Sequence, residues 1–189
     1  MRGSEGFSIS VQTSVLYIAP ILLLLLPLRW LMAALLAACI HEAWHILVIR
    51  LMGGRILEIR IGATGAVIET EPLSHTGEML AALAGPAGSL SLLLLAKWIP
   101  CTALCALVHA LYNLLPLYPL DGGRVLHCLL SKLFSPRLAR KAANVIEGGT
   151  VVLLGVLLAV LRINLLFFLI VLLPSVLRFT EKYLAKRAN

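Results

Sequence analysis

Charge is what this chain most lacks. Only 13% of its 189 residues are charged, and its nine acidic residues include a single aspartate, Asp121. Soluble domains carry about 25% charged residues, so that class is disfavoured at the outset. Hydrophobic residues make up 60%, mean hydropathy is +0.98, and an integral membrane protein is the expected class. Cysteine is sparse too: Cys39, Cys101, Cys105 and Cys128 form no CxxC pair and are expected reduced and buried. Cys101 and Cys105 would share a helix face, but a lone pair is a poor metal site. Arg2 is the only basic residue before the first apolar run, and no small-residue cleavage site clearly follows it. That run is read as a span and not as a signal peptide. Internal repeats and low-complexity tracts are missing as well.

What is present is a series of apolar runs. They predict six membrane segments, at about 11–26, 31–52, 78–95, 101–117, 145–161 and 165–177. Several are shorter than the ~20 residues of a full span. Six spans put Arg29, Lys97 and Arg162 on one side and the other thirteen of the 16 Lys and Arg on the other. The positive-inside rule then places both termini in the cytoplasm. The net charge of +7 therefore reads as membrane orientation, with no nucleic-acid partner. The fold class expected is an all-α polytopic membrane protein, one domain over residues 1–189, with core motifs at 30–130 and accessory spans at 142–179.

One stretch breaks the helical pattern. Residues 53–70, "GGRILEIRIGATGAVIET", alternate, with Leu57, Ile59 and Ile61 on one face and Glu58 and Arg60 on the other. "GATG" supplies turn residues, so a short β-hairpin is expected after the second span.

The second span carries "HEAWH". His41 and His45 are four residues apart, one turn along a helix face, where two imidazoles can bind one metal ion. Glu42 stands beside them, within reach of an attacking water. Buried in a membrane, three such side chains cost several kcal/mol unless satisfied, and are functional by default. A catalytic zinc site takes three protein ligands, so a third is sought elsewhere. Asp121 follows "NLLPLYP" at the end of the fourth span, where Pro116 and Pro119 break the helix. By topology that span and the second both run toward the cytoplasm. Asp121 also suits the N-cap of the following helix, a role compatible with ligation.

"HEAWH", "NLLPLYPLDGG" and "AGPAGS" (residues 84–89) together resemble the site-2 protease family of intramembrane zinc metalloproteases. The resemblance spans about residues 30–130, and the small six-span layout is similar to the stage IV sporulation protein FB branch. It implies Zn2+ held by His41, His45 and Asp121, with Glu42 as general base and acid. It also implies Asn113 beside bound substrate, and a membrane or membrane-associated protein as that substrate, of the pro-sigma-factor kind in the sporulation branch. A membrane-embedded regulator and a bacterial cell membrane location go with it. Trp44 stands where the family often has a small residue, and Ser89 where it usually has Asn. The chain ends soon after the sixth run and carries no PDZ insert; the resemblance leaves regulation and substrate identity open.

The hairpin is expected to accept an unwound substrate by strand addition, with Ile59 and Ile61 as contact positions. His109, four residues before Asn113, reads equally as a partner of the metal ligands or as a helix-packing residue. His75 is expected solvated, His127 interfacial, and Glu147 either interfacial or part of a gate. The basic tail from Arg178 suits an anionic-lipid anchor. Two rivals stay open: a metal-handling membrane transporter, and an inactive relative that binds membrane partners without cutting them.

Overall fold

The computed structural model describes residues 8–62 and 65–160. The sixth predicted span, the basic tail, and Ala63 and Thr64 of the turn lie outside them. The chain divides into two compact units between Leu111 and Tyr112.

The first unit opens with strand β1 (Ser8–Val11) and helix α1 (Ser14–Leu25), followed by α2 (Leu28–Leu51). Strands β2 (Ile56–Gly62) and β3 (Gly65–Thr70) come next. Helix α3 (His75–Ser91) continues as a 3-10 turn to Leu95, and α4 (Pro100–Asn113) closes the unit, its last two residues passing the boundary. Helix α2 stops at Met52, and Gly53 turns the chain with φ +75°, a left-handed conformation open to glycine at little cost. Ser74 caps α3, its hydroxyl accepting from the Gly77 N–H at 3.1 Å.

Small residues let α2 and α3 approach closely. Ala33 and Ala37 on α2 and Ala81, Ala82, Ala84 and Gly85 on α3 are all buried. Ala37, Leu92 of the 3-10 turn and Ala106 of α4 form one apolar cluster. A second joins Ile49, Ile56 and Ala81, with Ile59 and Ile68 packed on it, and so seats the sheet against α2 and α3.

The expected hairpin is present, with β2 and β3 antiparallel. It is part of a larger sheet. Residues just ahead of the first predicted span, together with its first residue Val11, form β1, which pairs parallel with β2, so β2 is the central strand. The predicted apolar face is also corrected. The register shifts between Ile56 and Glu58, a bulge that turns Leu57 outward. Ile56 and Ile59 face the core, while Leu57 is 49% and Ile61 40% exposed.

Among the described residues, two helical stretches are long and apolar enough to cross a membrane, Leu28–Leu51 and His75–Leu95. The first predicted span is shorter than expected: α1 has 12 residues, about 18 Å of helix against a hydrocarbon core of about 30 Å. Cys39, Cys101, Cys105 and Cys128 form no disulfide, but burial holds only for Cys128.

In the second unit, residues 114–120 form an irregular loop before α5 (Asp121–Leu133) and α6 (Pro136–Val160). Leu130 of α5 packs on Ala139 and Ala143 of α6. The predicted fifth span is the later part of α6, whose first turns carry Arg137, Arg140 and Lys141.

Candidate metal centre

His41 and His45 are 2% and 5% exposed, on the face of α2 that meets α3. An imidazole in that place needs partners, and both have them. The His45 Nδ1 lies 2.7 Å from the Ala81 carbonyl oxygen. A carbonyl only accepts, so Nδ1–H donates and Nε2 keeps its lone pair. The His41 Nδ1 lies 2.9 Å from the Ser89 hydroxyl, which can accept from Nδ1–H and leave the His41 Nε2 unprotonated too. The two Nε2 atoms are 3.1 Å apart. Two nitrogens on one tetrahedral zinc, each about 2.0–2.1 Å from it, stand about 3.3 Å apart. Both rings therefore turn their ligating atoms to one point, while their other nitrogens are tied to α3.

The glycines of "AGPAGS" make that possible. A Cβ on Gly85 would fall 2.1 Å from the His45 Nε2 and 2.7 Å from the His41 Nε2. A Cβ on Gly88 would fall 2.1 Å from the Trp44 ring, so the bulky Trp44 is accommodated by the missing side chain opposite it. Ser89, fully buried, holds a histidine nitrogen directly. His109 of α4 stacks on His41, ring centroids 4.4 Å apart and planes 20° from parallel. It thus belongs to the surroundings of the histidine pair. Glu42 follows His41 on α2 and is half-buried.

Asp121 belongs to the second unit and is 6% exposed. It is the first residue of α5, and the N-cap is Leu120, with no side-chain cap, so the capping role expected for Asp121 is not the one it has. Its carboxylate at a helix N-terminus is favoured by the helix dipole, and the Arg124 guanidinium lies 3.7 Å from Oδ1. The backbone around it is tightly packed. A Cβ on Gly122 would fall 2.2 Å from the Leu114 carbonyl oxygen, and one on Gly123 2.4 Å from the Leu117 carbonyl carbon. The "DGG" sequence lets the loop backbone lie directly on the first turn of α5. Asn113, half-buried, is the last residue of α4.

His41, His45 and Asp121 each offer one ligand atom, and all three are buried. Two imidazoles and a carboxylate are a donor set that suits zinc. Sequence reasoning missed three features of the histidine pair: the Ala81 carbonyl, the Ser89 hydroxyl as a partner, and the space at Gly85. The small-residue run "AALAGPAGS" was the signal for close approach of α3, though it could not say what approached.

Comparison with known proteins points to one class. The description of Peptidase family M50 matches residues 72–157, which include Asp121 but not His41, Glu42 or His45. The zinc metalloprotease MJ0392 of Methanocaldococcus jannaschii is 28% identical over 146 residues, 69% of this chain and 42% of that protein. The chain thus spans about two fifths of the length of the curated relative it matches. A site-2 protease structure from the same organism shares the fold, with a TM-score of 0.64 and 22% identity over 93% of this chain and 91% of that one.

Proposed function

We propose that the chain is a member of peptidase family M50, a zinc endopeptidase that cuts membrane-embedded or membrane-associated proteins near the cytoplasmic face. The observation that carries this reading is the histidine pair, whose Nε2 atoms stand 3.1 Å apart with both Nδ1 atoms occupied, inside an HExxH sequence. The family match and the similarity to a zinc metalloprotease support it. The apolar helices Leu28–Leu51 and His75–Leu95 support a membrane setting. The six-span topology with cytoplasmic termini rests on the charge asymmetry of the sequence, and a pro-sigma-factor substrate on the resemblance to the sporulation branch alone.

His41, His45 and Asp121 would hold the metal. Zinc, when bound, supplies Lewis acidity that polarises the scissile carbonyl and makes water acidic near neutral pH. The chain's own residues do the rest. Glu42 takes a proton from the attacking water and returns it to the leaving amine. Asn113 orients the substrate beside the scissile bond. Ser89 and the Ala81 carbonyl keep the imidazoles from rotating.

A helical substrate must unwind before its peptide bonds are accessible. Both edges of β2 are paired, so strand addition falls to the outer edge of β3 or of β1. Ile61 remains exposed enough to touch a substrate; Ile59 acts through the packing of the sheet.

Glu42→Gln tests the enzyme reading. Co-expressed with single-span membrane substrates, it should retain zinc and lose cleavage by about 10²-fold or more, as expected for a general base. A variant that still cuts at the wild-type rate would remove Glu42 from the mechanism. A transporter would instead move metal across vesicles without cutting anything.

A further inference from the structure

Helix α6 presents Ala139, Ala143 and Glu147 at four-residue spacing, hence along one face. The two alanines are buried against α5. The stripe then ends in a carboxylate, where continued apolar packing would be the simple choice. Glu147 Oε1 accepts the Tyr118 backbone N–H at 3.2 Å and lies 2.9 Å from the His127 Nε2, which donates to it. The Tyr118 and His127 rings close the triangle edge to face, centroids 5.4 Å apart. Three elements thus meet at one carboxylate oxygen: the 114–120 loop, α5 and α6.

The loop is the segment that delivers Asp121. Tyr118 lies three residues before it, and between them the Leu120 N–H donates to the Leu117 carbonyl at 2.8 Å. Beyond Asp121, the Arg124 N–H returns to the Leu120 carbonyl at 2.9 Å. On its α5 side the loop is fixed by contact with Gly122 and Gly123. At Tyr118 the loop is also tied to α6, by the hydrogen bond to Glu147.

We propose that Glu147 is a positioning residue for Asp121, acting as a hydrogen-bond acceptor that ties the loop to α6. It touches neither metal nor substrate, and it rests on the reading that Asp121 is a metal ligand. The role requires an acceptor at this point; a negative charge is not itself required. Glutamine supplies the acceptor, and alanine does not.

The test uses the full chain in detergent, as wild type, Glu147→Ala and Glu147→Gln. Zinc affinity is measured by chelator competition, and amide exchange is followed across residues 114–121 in the zinc-free protein. Glu147→Ala should bind zinc about 10-fold more weakly, within the range set by partners of metal ligands, and exchange faster at Tyr118. Glu147→Gln should stay within about threefold of wild type on both measures. Wild-type affinity and exchange in Glu147→Ala would overturn the proposal. So would a glutamine variant as impaired as the alanine one. Wild type that binds no zinc would sink the ligation reading itself, and exchange at Tyr118 would still report whether Glu147 holds the loop.

Discussion

The histidines of α2 and Asp121, which follows the 114–120 loop, are the proposed ligands of one metal ion but are held by opposite means. The histidine pair sits in regular structure. Two long helices approach through alanine and glycine, and α3 gives each ring one hydrogen bond. Asp121 sits where regular structure begins again after a break, and its surroundings are backbone: loop carbonyls pressed on Gly122 and Gly123, and a loop amide tied to Glu147. The first arrangement fixes side-chain rotation, the second the path of the main chain. Substitutions should therefore fail differently. Near the histidines they should disturb ligand geometry, and near Asp121 they should disturb folding of the loop as well.

The largest effect is expected at Gly85. Gly85→Ala places a methyl 2.1 Å from the His45 Nε2, and helix backbone cannot move aside without parting α2 from α3. Zinc binding and cleavage should both fall to background, with about 1–3 kcal/mol of overpacking visible as a lower Tm. Retained zinc would show that the rings have another arrangement available.

Gly123→Ala comes next. Its methyl would meet main-chain atoms of Leu117 and Tyr118, which have no rotamer to change. A loss of about 1–3 kcal/mol is expected in thermal melts, already in the zinc-free protein. If stability were untouched and only metal affinity fell, the contrast between the two regions would collapse.

Ser89→Ala should be mildest. It removes the hydroxyl 2.9 Å from the His41 Nδ1 and leaves the packing in place. Zinc affinity should drop about 10-fold, the low end for a partner of a metal ligand. Ser89→Asn, which restores a hydrogen-bonding side chain, should recover part of it. An unchanged affinity in the alanine variant would assign the orientation of His41 to the stacked His109 instead.

The same contrast explains what could be read from sequence. "HEAWH" announced itself because helical spacing alone puts His41 and His45 on one face. The hairpin was legible from the alternation in 56–61, yet the bulge at Leu57 reversed part of its face, since bulges leave no periodic mark. Strand β1 was hidden because four residues, "SISV", run straight into an apolar stretch, and their pairing with β2 is some 50 positions distant in sequence. The stacking of His109 on His41 depends on the rotation of α4 against α2, which spacing within α4 cannot give. The tie from Glu147 to Tyr118 joins residues 29 apart across an irregular loop, and neither local propensity nor period reaches it.

Bound zinc in the purified full chain, compared among wild type, His45→Ala and Asp121→Ala, decides whether the histidines and Asp121 share one ion. One zinc per chain in wild type and none in either variant is the result expected if a histidine of α2 and the aspartate of the second unit serve one ion. Zinc retained at full occupancy and affinity by Asp121→Ala would contradict the account, leaving the histidine pair as a metal site that Asp121 does not complete.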